Sequence, residues 1–416
     1  MAFLVDVLGS PHLAAPVIHV AGTNGKTSTA RMIDSLLRAF GLTTGLFTSP
    51  HLHSITERIH LAGEPISAER FVSAYDDIEP SLRWADERSK EADQPVASYF
   101  EALTTLAFAA FADAPVDVAV IEVGMGGRWD ATNVAESAVA VVTQVAMDHM
   151  DYLGTDLAAI AAEKAGILSA DSVAVLAAQH PTAQAVLDDQ LATLGARALR
   201  QGADFELLDR SVAVGGQLIT VRGTAGEYPP FLLPLHGPHQ AANAAVALAA
   251  VEAFLGGGQT RLDPDSVAAG FAAATSPGRL EVVGRQPLVV VDAAHNPAGM
   301  GAAVSGFAEA FAVDEFTLLI GMLADKDVAG TLAAAGQPDR VIVTTAPSPR
   351  SVPAAELGAA AADQFGADRV EVIERLPDAW TAGREAAAAT PNGALLVAGS
   401  VTLAAQARLL AGMSEA

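Results

Sequence analysis

The sequence predicts an α/β protein of two domains: an N-terminal mononucleotide-binding domain on a parallel-dominated sheet and a C-terminal Rossmann-like α/β domain. Three observations carry that expectation. Uninterrupted Val, Ile and Ala runs, most ending in glycine, alternate with amphipathic helical stretches, the pattern of parallel strands covered on both faces. The alternation stops at "TSPGR", Thr275 to Arg279, and restarts beyond it. The chain has 416 residues, more than one compact core ordinarily organises. The boundary is therefore expected after residue 276, giving domains 1–276 and 277–416.

The elements follow in order. "PVIHVAG" reads as the first strand and "KTSTARMIDSLLRAFG" as the helix behind it. "VDVAVIEVGMGG" and "AVAVVTQVAMDH" are two further strands, the second followed by a helix over "DLAAIAAEKAGI". From Ser172 to about Tyr228 the runs shorten, and "SVAVGGQLITVRG" reads as a hairpin turning at Gly215-Gly216. "GPHQAANAAVALAAVEAFLG" is one long Ala-rich helix. After the boundary, "LVVVDAAHNPAG", "FTLLIGML", "RVIVTTAP" and "ALLVAGSVTLAAQARLL" renew the strand and helix alternation.

Composition narrows the function. Hydrophobic residues make up 51% and aromatics 5%, a globular balance rich in Ala, Val and Leu. The longest apolar run is cut by Asp113, Pro115 and Asp117 before it reaches bilayer length, so no membrane span is expected. The first residues, "MAFLVDVLGSPHL", lack the basic start of a secretory signal, and the chain has no Cys, which fits a cytoplasmic protein. A net charge of −24 argues against nucleic acid, which needs a clustered positive surface.

Parallel sheets place ligands at the carboxyl ends of strands, so the strand ends are the residues to read. The first ends in "AGTNGKTS". Gly22 and Gly25 allow close backbone approach, Lys26 offers a point charge to phosphate oxygens, and the helix behind them aims free N–H groups at the same place. The match to the standard phosphate loop is partial, because Val20 stands where that pattern has Gly. The competing reading is a glycine turn before a helix capped by Thr27 or Ser28. The second informative strand leaves Glu122 at its tip, and the third leaves Asp148 and His149. Such a set beside a phosphate loop could hold Mg²⁺ or be structural, and spacing leaves both open. Lys164 falls in a last helical turn with Gly166 suited to the C-cap, where spacing implies a solvated charge.

Taken together and in order, "HVAGTNGKTS", "FTSPHLHSITERI", "YFEALT", "IEVGMGGRWDATN", "DHMDYLG", "EKAGI", "GPHQAANA", "TSPGRLE", "VDAAHNPAG", "LADKD" and "GSV" resemble the folylpolyglutamate synthase family, including its bifunctional dihydrofolate synthase form, within the Mur ligase superfamily. The resemblance implies ATP and Mg²⁺ as cofactors, with folate or dihydropteroate and L-glutamate as substrates, and a monomer. It implies that Thr23, Asn24, Gly25, Lys26, Thr27 and Ser28 hold the ATP phosphates. Asn243, Arg279 and Asp292 would complete the nucleotide site. Ser49, Glu122 and His149 would hold magnesium ions, and a carbamylated Lys164 would ligate the second. The catalytic set would be Lys26, Glu122, His149 and Lys164. His295 and Ser400 would face the incoming glutamate, while Ser98, Phe100, Glu101, Trp129, Asp130 and Ala131 would build the pterin side. Each could instead be a turn or cap residue, and the ordered co-occurrence of the motifs is what favours a site.

Two departures stand out. Family members carry a few tens of residues ahead of the segment matching "LVDVLGSP", and Thr27 stands where many have Gly, a habit of other Mur ligases. An N-terminal truncation or a misplaced start codon would account for the first. Two rival functions follow. A Mur ligase acting on a cell-wall nucleotide precursor predicts a further N-terminal domain, for which there is no room ahead of Val17. A phosphate-loop ATPase without ligation leaves "TSPHL", "VDAAHNPAG" and the second domain without a task.

Overall fold

The structure, a computed structural model, describes residues 1–148 and 150–413. Eight strands form the first sheet in the order β4-β3-β2-β5-β1-β6-β7-β8. They are β1 Val17–Ala21, β2 Thr44–Phe47, β3 Ile59–Leu61, β4 Glu64–Pro65, β5 Val118–Glu122, β6 Ser137–Val142, β7 Val173–Leu176 and β8 Ala198–Arg200. All pairings are parallel except those of β3 and β4 at one edge. Alternate residues of β5 enter different cores: Val118 and Val120 pack on one face, Ala119 and Ile121 on the other. Burial on both faces is why these strands read as unbroken apolar runs.

A second, antiparallel sheet is built from β9 Glu206–Ala213, β10 Gly216–Gly223, β11 Gly226–Glu227 and β12 Phe231–Leu233. Between it and the first sheet lies the helix Pro238–Gly256, whose alanines, Ala242 apart, are buried. Small side chains let the two layers close on the helix from opposite directions, which explains its lack of a polar face. Its one fully buried acid, Glu252, accepts bonds from Tyr228 Oη at 2.8 Å and from Thr224 N at 2.7 Å, tying the small sheet to the helix.

The third sheet runs β13-β14-β18-β15-β16-β17. Its strands are β13 Glu281–Arg285, β14 Leu288–Val291, β15 Glu315–Ile320, β16 Arg340–Val343, β17 Val370–Val372 and β18 Gly393–Ala398, all parallel but β13. Apolar cores cover both its faces.

Three details differ from the sequence reading. The change of texture after Ser172 is not yet a new layer, because β7 and β8 still extend the first sheet and the small sheet begins at Glu206. Edge strands this short are too brief to declare a period. The hairpin turns at Val214-Gly215, with Gly216 already paired to Ala213. Finally, β6 stops at Val142, so Asp148 lies in the following loop rather than at a strand tip. No helix among the described residues is long and apolar enough to cross a membrane.

Candidate active site

A cavity of about 1390 Å³ opens where the carboxyl ends of the first and third sheets face each other. Its first wall is the loop between β1 and the helix Lys26–Ala39. Gly22 (φ +146°) and Gly25 (φ +83°) hold backbone conformations that other residues rarely adopt. A Cβ on Gly22 would strike Thr143 Oγ1, and one on Gly25 would stand 2.8 Å from the Asn243 carboxamide. The loop is further pinned by Thr23 Oγ1, which donates to Ala146 O at 2.9 Å, and by Thr23 N and Asn24 N, which both donate to Gln144 O.

Gly25 is the N-cap of that helix, and no side chain caps it. The two residues that could have capped it are engaged elsewhere. Thr27 Oγ1 donates to Glu122 Oε1 at 2.9 Å, while Ser28 Oγ lies 2.9 Å from Ser276 Oγ. The helix start therefore keeps its positive end for something in the cavity, which is the physical requirement of an anion site. Lys26 Nζ donates to Thr23 O at 3.2 Å.

Because Asn243 packs on Gly25, Gly25→Ala is expected to weaken ADP binding about tenfold or more through both strain and collision. Adding Asn243→Ala should recover part of the loss, since it removes the collision and leaves the strain. Titration calorimetry on the two variants checks this.

Glu122 ends β5 at 1% exposure. Burial pushes its carboxyl up, opposed chiefly by the Lys26 charge and then by the bond from Ser49 N, which donates to Oε2 at 3.1 Å. The donor set fits Mg²⁺: one buried carboxylate is flanked by the Thr27 and Ser49 segments on a cavity wall, and this ion takes oxygen ligands and few from protein. Among the described residues no three His, Asp or Glu converge on a metal position. His149 lies outside the described residues.

Lys164 contradicts the solvated charge that its helical spacing suggests. It ends the helix Leu157–Lys164 at 4% exposure, with Nζ donating to Gly22 O at 2.9 Å. Burial, with the Lys26 charge, lowers its pKa to about 7. Gly166 is not the C-cap either. Ala165 takes that place, and Gly166 packs so tightly on Arg128 that a Cβ would lie 2.4 Å from the Arg128 Cβ.

Asp148 crosses to the third sheet. Its carboxylate accepts from Lys326 Nζ at 2.8 Å and Asn296 Nδ2 at 2.9 Å, and lies 3.4 Å from His295 Nε2. Burial alone would raise its carboxyl, but the hydrogen bond and charge of His295, together with Lys326, hold it well below the usual carboxylate range. His295 Nδ1 faces Ala293 O at 2.9 Å and so carries a proton, leaving Nε2 to face Asp148. The sequence reading gave no role to Lys326 or Asn296. Lys326 sits in "LADKD", which was legible as a motif and silent as to partner.

The remaining expected residues separate into two groups. Asn243, Arg279, His295, Phe100 and Trp129 line the cavity, the last at 86% exposure on its rim. The Phe100 ring packs on Phe47 and lies over Gly124, where a Cβ would meet it at 2.5 Å. The others border the cavity with their polar atoms already committed to local structure. Ser98 and Glu101 form a capping box, and Asp130 accepts from Met125 N and Thr132 N. Asp292 accepts from Leu280 N and Ala294 N, and Ser400 caps the helix Val401–Leu410. Ala131 is buried at the cavity wall.

Comparison with known proteins gives the family and the fold. Residues 20–251 match the Mur ligase middle domain, and residues 278–401 match the Mur ligase glutamate ligase domain. The chain is 49% identical to the dihydrofolate synthase/folylpolyglutamate synthase of Mycobacterium tuberculosis, over 98% of this chain and 88% of that protein. It is 36% identical to the folylpolyglutamate synthase of Lacticaseibacillus casei, over 99% and 94% respectively. Its fold matches that of Mycobacterium tuberculosis folylpolyglutamate synthase complexed with ADP at a TM-score of 0.95 and 48% identity, covering 99% of this chain and 94% of the other.

Proposed function

Because the chain belongs to the Mur ligase family, in its dihydrofolate synthase/folylpolyglutamate synthase branch, we propose how its residues share an ATP-dependent ligation. The enzyme adds L-glutamate to the carboxylate of folates, and to dihydropteroate to make dihydrofolate. One observation carries the reading: a single cavity has the phosphate loop and Glu122 on one wall and His295 and Lys326 on the other.

The chemistry accounts for both walls. A carboxylate is a poor electrophile, so it first receives the γ-phosphoryl group of ATP and becomes an acyl phosphate. Lys26 and the free N–H groups of its helix take the phosphate charge. The amine of glutamate then attacks the acyl carbon, and phosphate leaves. Residues 1–276 would bind the pterin and most of the nucleotide, and residues 277–416 the amino acid, with Arg279 and Asp292 reaching the nucleotide from the second domain. Facing walls exclude water, which would hydrolyse the acyl phosphate. Asn243, Arg279 and Asp292 border the nucleotide, His295 and Ser400 the glutamate, and Phe100 and Trp129 offer rings to the pterin.

Ser49, Glu122, His149 and a carbamylated Lys164 would hold Mg²⁺, which when bound supplies positive charge to phosphate oxygens. The protein would act as a monomer in the cytoplasm, where ATP is supplied. The test is phosphate release from Mg-ATP and L-glutamate with tetrahydrofolate, with dihydropteroate or with no acceptor. Release is expected to need both glutamate and a pterin acceptor. Activity with dihydropteroate makes the enzyme bifunctional, and release indifferent to every pterin would assign it to another Mur ligase reaction.

A further inference from the structure

Arg58 ends the short 3₁₀ turn Ile55–Arg58 ahead of β3, and the ligation described above leaves it without a task. The residue is partly exposed and lines the cavity. Its Nε donates to His51 Nδ1 at 2.9 Å, and its guanidinium lies over the Tyr99 ring, 5.8 Å from the centroid. The two terminal amino groups meet no acceptor among the described residues, and neither is sealed from solvent. The nearby acids are engaged elsewhere. Glu57 accepts from Leu52 N, His53 N and Ser54 N at 2.8, 2.8 and 2.9 Å, and Glu122 accepts from Thr27 and Ser49. Burial works against the arginine's charge, and Tyr99, Glu122 and Glu57 offset it only from a distance. In a chain of net charge −24, a cavity arginine without a carboxylate of its own calls for an anion from outside the chain.

Its place in the fold indicates which anion. On one side Tyr99 adjoins Phe100, a ring of the pterin side, and on the other Arg58 O accepts from Thr48 N at 2.9 Å, one residue before Ser49 and its bond to Glu122. Between the pterin ring and the transferred phosphoryl group lies the carboxylate end of the acceptor. A folate ends in glutamate, whose γ-carboxylate receives the phosphoryl group while its α-carboxylate stays beside it unreacted. Dihydropteroate ends in a single benzoate carboxylate and has no second anion.

We propose that Arg58 pairs with the α-carboxylate of the folate's terminal glutamate and so favours folates over dihydropteroate, and that His51 is the positioning residue that turns its fork. The proposal rests on the ligase reading above. Two amino groups of a guanidinium match two carboxylate oxygens in one plane. His51, by holding Nε, leaves that pair of amino groups to the ligand. Pairing the α-carboxylate also leaves the γ-carboxylate as the one free to meet ATP. Because Nε donates, His51 Nδ1 carries a lone pair, so an acceptor is what the arginine needs from it.

The test pairs the residue with the substrate group. Steady-state phosphate release is measured with tetrahydrofolate, with dihydropteroate, and with tetrahydropteroyl-4-aminobutyrate, which keeps the reacting carboxylate and lacks the α one. In the wild type KM should be about tenfold lower for tetrahydrofolate than for the aminobutyrate. In Arg58→Met, which keeps an apolar stem beside Tyr99, the tetrahydrofolate KM should rise about tenfold while those of the aminobutyrate, dihydropteroate and ATP stay within about twofold. Arg58→Lys keeps the charge without the fork and should recover only part of the loss. His51→Leu should raise the tetrahydrofolate KM about threefold, and His51→Asn, whose Oδ1 offers an acceptor in place of Nδ1, should restore it. A wild type that takes tetrahydrofolate and the aminobutyrate equally would overturn the role of Arg58 whether or not Arg58→Met folds. Equal loss for every acceptor, or a matching rise in KM for ATP, would overturn it as well. His51→Asn behaving as His51→Leu would overturn the positioning role. Phosphate release indifferent to every pterin would overturn the ligase reading instead.

Discussion

Lys26→Ala is expected to lower turnover by more than tenfold, and by as much as about a thousandfold, with the fold intact. The two halves of that expectation come from different neighbours. Among the described residues the ammonium makes one neutral hydrogen bond, to Thr23 O at 3.2 Å within its own turn, so little of the fold depends on it. Its larger influence is electrostatic. It is the leading charge offsetting the burial of Glu122, and it adds to the burial that lowers Lys164. Removing it takes a positive charge from the phosphates and leaves Glu122 with a stronger pull toward its neutral form. Steady-state phosphate release beside a thermal melt checks both halves. Near-full activity would remove the phosphate loop from the mechanism, and a large fall in melting temperature would recast Lys26 as structural.

The parts of this protein that were legible in the sequence are those decided by neighbours close in the chain. β1, β5 and β6 announce themselves because burial on both faces leaves them almost wholly apolar, with His19, Glu122 and Ser137 the exceptions. The turn at Gly25 announces itself because few residues tolerate its backbone. What stayed hidden is decided at a distance. Asp148 meets Lys326 and Asn296 across 178 and 148 residues, and no local period encodes such a meeting. Lys164 shows the limit most sharply. Its place in a last helical turn implies solvent, and its burial follows from packing under Gly22, which lies 142 residues away. Only the ordered set of motifs pointed to it. The same motifs did not reveal that Ser98, Glu101, Asp130 and Ser400 spend their polar atoms on helix starts, because a cap and a ligand contact ask for the same residue types.

Lys164→Ala is expected to lose activity that Lys164→Glu partly retains, or that short carboxylic acids partly restore. A lysine ordinarily carries a charge at neutral pH and cannot attack CO₂ or ligate a cation. Here burial at 4% exposure, with Lys26 nearby, brings its pKa from 10.5 to about 7, so the neutral amine is abundant rather than rare at physiological pH. Its nitrogen lone pair can then bond to the carbon of CO₂ with loss of a proton, and the product is an anion of the kind a metal site uses. The burial leaves a second trace in stability. Between about pH 7 and 10.5 the folded lysine binds fewer protons than the unfolded one, so its contribution to stability rises with pH across that window and is least favourable below about pH 7. Relative to wild type, Lys164→Ala should therefore be most stable at pH 6 and lose that advantage toward pH 10, as melts across the range would show. Activity gives the complementary reading. The wild type should gain activity with added bicarbonate as pH rises through about 7, and Lys164→Glu should not respond. Equal, unrescued loss in both variants would leave Lys164 a buried structural amine and remove the carbamate from the site.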